Sequence, residues 1–122
     1  MDVTIFHNPA CGTSRNTLAA IEAAGLNPTV VEYVKAGWTK AQLKTLLNQM
    51  GVGPRDVLRV RGTPAEELGL TDPTATDDQI LDAMVAHPIL VERPIVVTPK
   101  GAALCRPSEK VFDLIGEPGD GN

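Results

Sequence analysis

Apolar and polar positions follow two periods along this chain, and the switches between them outline its elements. Residues 2–6 gather Val3, Ile5 and Phe6 in a short β-rich run, the pattern of a buried first strand. Over 13–24 the period lengthens. Thr13, Ser14 and Asn16 are cap-type residues, Leu18, Ala19, Ile21 and Ala24 sample one apolar face, and Gly25 closes the segment, which predicts a first helix. Gly25-Leu-Asn-Pro28 makes a turn, and Thr29–Val34 (TVVEYV) is rich in β-branched residues, as a second strand would be. A strand–helix–strand unit of this length favours a parallel pair with a right-handed crossover.

The middle of the chain keeps the helical period. Thr39-Lys-Ala-Gln42 fits a capping box, with Leu43, Leu46, Leu47 and Met50 following at helical spacing and Gly51 at the end. Pro54–Val60 reads as a short helix. Thr63-Pro64-Ala-Glu66 predicts a second capping box and a brief helix ended by Gly69. Thr76-Asp77-Asp78-Gln79 opens a third capped helix with Ile80, Leu81, Met84 and Val85 on its apolar face. It ends before His87-Pro88, since proline disfavours helix at the preceding residue. β character then returns. Ile89–Val91 is short and apolar, Ile95–Thr98 reads as a strand, Pro99-Lys100-Gly101 as a tight turn, and Ala102–Cys105 as the partner strand of a hairpin. Ser108–Ile115 makes a last helix. The order is β-α-β, helical insert, β-β-α. No repeat or low-complexity linker marks a boundary, so one domain is expected over 1–122, with its helical insert at about 39–88 and a frayed, Pro/Gly-rich tail at 117–122.

Composition narrows the functional classes. A chain of 122 residues is long enough for one real core, and 43% hydrophobic residues with no long apolar run suit a globular, non-membrane protein. Residues 2–10 lack a basic stretch followed by an apolar one, which argues against a secretory signal. Two distant cysteines make neither a disulfide framework nor a metal site, so a reduced, cytoplasmic protein is expected. A net charge of −4 argues against a nucleic-acid partner. It also means that an anionic substrate must be held by locally gathered arginines, because the overall field would repel it.

The candidate chemistry centres on Cys11, which follows a His-Asn-Pro-Ala loop and falls at or just before the first helix. Unpaired backbone N–H groups and the helix dipole stabilise an anion there, so the thiol ionises more readily than a free one at about 8.5. Arg15, one turn on, adds positive potential. The competing reading for any cysteine is a small buried apolar residue, and Cys105 on the hairpin strand is read that way. Trp38 reads as a packing residue and His87 as a helix-end residue.

Strand–helix–strand then hairpin–helix, with a cysteine at the first helix's N-terminus, resembles the thioredoxin-like fold, an α/β fold with a small mixed four-stranded sheet. In that fold a cis-proline precedes the third strand, and Pro94 stands at that point. The likeness goes further. His7-Asn-Pro-Ala-Cys11-Gly-Thr-Ser-Arg-Asn-Thr-Leu18 resembles the active-site signature of the glutaredoxin-coupled arsenate reductases. His87-Pro-Ile-Leu, Glu92-Arg-Pro-Ile-Val-Val-Thr-Pro and Cys105-Arg-Pro-Ser-Glu resemble that family's later blocks. Four blocks in the right order make the match specific, and it covers the chain from Val3 to about Ile115.

The resemblance implies a nucleophile, Cys11, that attacks arsenate, and three arginines, Arg59, Arg93 and Arg106, that hold the oxyanion. His7 would support the catalytic environment, and Ser14 would hydrogen-bond the thiolate. Glutathione is then a co-substrate and glutaredoxin a partner, with no tightly bound cofactor and no metal; a monomer is expected. Arginine suits the task because its planar, permanently charged fork offers paired donors to a tetrahedral oxyanion. Serine at position 14, where a thioredoxin has its second cysteine, excludes C-x-x-C chemistry, and Thr17 excludes a phosphatase-type loop with arginine six positions after the cysteine. Two other readings stay open: a glutathione-dependent thiol reductase for another substrate, and an Spx-like regulator that binds RNA polymerase.

Overall fold

A computed structural model of the chain describes residues 1–116; the expected tail at 117–122 lies outside the described residues. In chain order the regular elements are β1 (Thr4–His7), α1 (Gly12–Ala23), β2 (Thr29–Glu32), α2 (Tyr33–Ala36), α3 (Lys40–Met50), α4 (Asp77–Ala86), β3 (Ile95–Thr98), β4 (Gly101–Leu104) and α5 (Phe112–Ile115). Short 3₁₀ segments occupy Pro54–Val57, Pro88–Leu90 and Ser108–Val111. Two compact units divide the chain, one made of residues 1–33 and the segment from Arg93 onward, the other of Val34–Glu92.

The first unit is built on a four-stranded sheet of order β2-β1-β3-β4. β1 pairs in parallel with β2, from Thr4 opposite Thr29 to His7 opposite Glu32, and antiparallel with β3, which forms an antiparallel hairpin with β4. This is the thioredoxin-like arrangement, with a β-α-β half and a β-β-α half. One side chain set holds it together. Val3, Ile5, Ile21, Val96, Cys105, Val111 and Leu114 are buried in one cluster that joins β1, α1, β3 and the C-terminal helical turns. Each large aliphatic among them contributes about 1.5–3 kcal/mol by leaving water.

β2 is shorter than the sequence pattern suggests, ending at Glu32 instead of Val34. The reason lies in its partner: β1 stops at His7, directly opposite Glu32, where the chain leaves the sheet for the cysteine loop. With no ladder to continue, the backbone turns into α2, whose Tyr33 is fully buried. The final helix is likewise split, a 3₁₀ turn at Ser108–Val111 leading into one α-helical turn.

The second unit is helical. The capping boxes at α3 and α4 form as expected: the Gln42 N–H donates to the Thr39 hydroxyl at 3.0 Å, and the Gln79 N–H to Thr76 at 3.2 Å. Gly51 ends α3 in the left-handed region at φ 70°, a conformation costly for any residue with a Cβ. The expected helix at 63–69 does not form. Thr63 donates its hydroxyl to the Arg59 carbonyl at 2.7 Å and accepts from Ala65 at 3.3 Å, so its oxygen does not cap Glu66. Successive turns follow instead, held where the Arg55 guanidinium donates to the carbonyls of Leu70, Asp72 and Ala75. Ile89–Val91 is also not a strand. Pro88 supplies no N–H to a ladder, so Pro88–Leu90 forms a 3₁₀ turn and only Val91 makes a bridge, to Leu58. No helix among the described residues is long and apolar enough to cross a membrane.

Candidate active site

Cys11 sits where β1 hands the chain to α1. Its backbone is extended (φ −96°, ψ 123°), its carbonyl accepts from the Arg15 N–H at 3.0 Å, and the helix begins at Gly12. The loop before it is folded by Asn8. The Asn8 carbonyl accepts from the Cys11 N–H at 3.0 Å, and its side-chain oxygen accepts from the Ala10 N–H at 3.0 Å. Arg15 closes the same loop from the helix side by donating to the Pro9 carbonyl at 2.8 Å. The thiol is thereby fixed at the helix start and left partly exposed.

Its electrostatics follow from what surrounds it. Burial by itself pushes the Cys11 thiol up, but the Ser14 backbone N–H and the guanidinium groups of Arg93 and Arg106 outweigh it and bring the pKa down to about 7. Arg106 reaches the sulfur with Nη1 at 3.5 Å, and the same nitrogen is steadied by the Arg93 carbonyl at 2.9 Å. Arg93 is 9% exposed, and its guanidinium also favours the thiolate. Among the described residues, its Nε and Nη1 have no hydrogen-bond partner. A buried guanidinium with unmatched donors is costly to maintain and calls for a ligand or another explanation. The peptides Arg93–Pro94 and Arg106–Pro107 are both cis.

Ser14 supports the thiolate differently from the expectation. Its backbone N–H serves the sulfur, whereas its hydroxyl, wholly buried, lies 2.7 Å from His7 Nδ1 and accepts from the Asn8 N–H at 3.0 Å. The hydroxyl therefore locks the cysteine loop to β1. His7 is buried, and desolvation lowers its pKa against the attraction of Glu32, its neighbour across the sheet, with Arg15 lowering it further. Arg15 thus acts on the loop and on His7. Cys105 is fully buried in the core, and desolvation pushes its thiol up to about 12.

Arg59 stands in the other unit. Its Nη1 donates to the Glu92 carboxylate at 2.9 Å, with both side chains largely buried, and its Nε donates to the Arg61 carbonyl at 3.2 Å. Glu92 and Asn8 were not singled out from sequence. Asn8-Pro9 is a turn dipeptide and could have been; Glu92 is the sole acid between His87 and Thr98, which was the available signal. Among the described residues no cluster of His, Cys, Asp or Glu could hold a metal ion.

The site can hold a thiolate next to two arginines and present unmatched N–H donors to a small oxyanion. The ArsC family signature matches residues 6–114. Arsenate reductase ArsI2 of a Synechocystis strain is 61% identical over 113 residues, covering 93% of this chain and 81% of that protein. An arsenate reductase of Rhizobium meliloti is 56% identical over 115 residues, covering 94% and 82%. The solved structure of an arsenate reductase from Vibrio cholerae superposes with a TM-score of 0.88 at 40% identity, covering 93% of this chain and 97% of that one. The signature and the relatives span nearly the whole described chain, and it belongs to the ArsC family.

Proposed function

We propose that this protein is an arsenate reductase in which the Cys11 thiolate attacks arsenate and external thiols complete the reduction. The observation that carries the reading is Arg93, a buried guanidinium beside the nucleophile with Nε and Nη1 unpartnered among the described residues. A tetrahedral oxyanion supplies the acceptors those donors lack, and relatives 56–61% identical are named arsenate reductases. The thiolate forms an S–As bond as one arsenate oxygen leaves as water. Glutathione then attacks the As(V) adduct with loss of a second water. The glutaredoxin thiolate takes the glutathionyl sulfur as a mixed disulfide, leaving the electron pair of the broken As–S bond on arsenic as As(III). Arsenite leaves after hydrolysis of a Cys11–As(III) intermediate. Arg93 and Arg106 reduce the repulsion between thiolate and oxyanion and pre-organise the developing charge. Arg59 enters this reading on its sequence match alone. Ser14 and His7 hold the cysteine loop and are positioning residues.

One thiol in the site is enough for this scheme because the second and third come from outside the chain; Cys105, fully buried, is not called on. The test is arsenate-dependent NADPH oxidation with purified protein, glutathione, glutaredoxin and glutathione reductase. Turnover should be abolished by Cys11→Ser, and Arg59→Ala should raise the KM for arsenate. Turnover that persists in Cys11→Ser would overturn the mechanism, and its absence in the wild type with a thioredoxin-linked system also supplied would overturn the substrate.

A further inference from the structure

We propose that the Cys11 site is also a peroxide-reducing centre, in which hydrogen peroxide oxidises the Cys11 thiolate and a low-molecular-weight thiol restores it. Three features carry this beyond arsenate chemistry. The first is access, because Cys11 is partly exposed whereas the other cysteine is fully buried. The second is the donor set: Arg106 Nη1 lies 3.5 Å from the sulfur, and Arg93, nine-tenths buried and favouring the same thiolate, has Nε and Nη1 unpartnered among the described residues. Cleaving an O–O bond releases hydroxide, and fixed N–H donors next to the sulfur stabilise the charge as it develops. The third is charge. Peroxide is neutral, so neither the net charge of −4 nor the thiolate repels it, as both repel an oxyanion.

The steps balance. The thiolate attacks one peroxide oxygen, an S–O bond forms and the O–O bond breaks. Sulfur is oxidised by two electrons to the sulfenic acid, and the departing hydroxide takes a proton from solvent to become water. With Cys105 locked in the core, the chain offers no second thiol to condense with the sulfenic acid. A small thiolate therefore attacks the sulfenic sulfur, expelling hydroxide and forming a mixed disulfide. A second small thiol attacks that disulfide, giving the oxidised small-molecule disulfide and the free Cys11 thiolate.

The experiment mixes reduced protein with hydrogen peroxide in the absence of arsenate and follows Cys11 sulfenic acid by dimedone capture and peptide mass. In parallel, peroxide consumption is followed with glutathione, glutathione reductase and NADPH. The expected result is oxidation at Cys11 at least tenfold faster than free cysteine in the same buffer, corrected for thiolate fraction, with catalytic peroxide consumption that Cys11→Ser lacks. Arg106→Ala should return the rate toward that of free cysteine. Inorganic phosphate, offered to the wild type as an occupant of the same donors, should slow it, which keeps the test independent of whether the variant folds. A wild-type rate no faster than free cysteine, a rate indifferent to both phosphate and Arg106→Ala, or label on Cys105 would overturn the proposal. None of these outcomes depends on arsenate turnover, so this proposal and the arsenate reading can fail separately.

Discussion

A thiol with a pKa of about 7 is close to half ionised at neutral pH, where a free cysteine is a few per cent thiolate. Alkylation by iodoacetamide should therefore report Cys11 with a midpoint near pH 7. Arg106→Ala removes one donor to the sulfur and should move that midpoint upward. Cys105, pushed up to about 12 and fully buried, should react only after unfolding. A midpoint unmoved by Arg106→Ala would mean that the Ser14 N–H and Arg93 set the acidity without it. Ser14→Ala tests a different contact. It keeps the backbone N–H that serves the sulfur but leaves His7 Nδ1 and the Asn8 N–H without the buried oxygen they share. The cost should be about 1–3 kcal/mol in a urea unfolding series, with the Cys11 midpoint shifting less than in Arg106→Ala. His7 also links pH to stability: its folded pKa lies below the ordinary 6.5, so the unfolded chain takes up a proton first. Stability from this group is present above that value and falls as the pH drops below it.

At the scale of elements, local and long-range signals can be separated by their failures. The Thr39 and Thr76 boxes form because every participant lies within four residues and is exposed. Thr76→Ala should therefore cost α4 about 1 kcal/mol, read as a lower urea midpoint at constant m-value; an unchanged midpoint would show the cap to be energetically idle. The same pattern at Thr63 misleads. There the hydroxyl is claimed by the Arg59 carbonyl, and the segment 64–70 relaxes into turns. β2 and Ile89–Val91 fail as long strands for a related reason: β propensity needs a partner ladder, and here the ladder ends at His7 or is interrupted by Pro88. Surface pairs add little. Lys40 meets Asp78 and Asp82 at 3.3 and 2.9 Å, but the two aspartates are mostly exposed and solvent screens both pairs.

For the whole molecule, the balance between stability and site chemistry falls on Arg93. A buried cation with unmatched donors is destabilising in the empty protein, and an anion that satisfies it stabilises the folded state alone. Arsenate at a hundredfold excess over its Kd should add about 2.7 kcal/mol and raise the melting temperature. Arg93→Met, of similar length and uncharged, should leave the empty protein at least as stable and erase the arsenate-dependent rise. A variant that melts far lower yet still responds to arsenate would make Arg93 a structural residue. The net charge of −4 sharpens this, since an anion gains nothing from the overall field and needs locally gathered guanidinium groups.

The sequence alone determined where the four strands of the sheet lie, the helices capped by Thr39 and Thr76, and a cysteine at the start of α1. Each of those depends on signals spread over a few neighbouring residues: a period, a cap, a proline, a thiol behind a turn. The approach of Arg106 to a sulfur 95 positions away was decided by the tertiary structure. So were the diversion of the Ser14 hydroxyl from the thiolate to His7, and the pairing of Arg59 with Glu92. The two donors that Arg93 leaves unmatched among the described residues belong in the same group. The reason is physical. A residue's type fixes which hydrogen bonds it can make, but which of them remain unmade, and so what a site still demands of a ligand, is settled only when every buried partner has been placed.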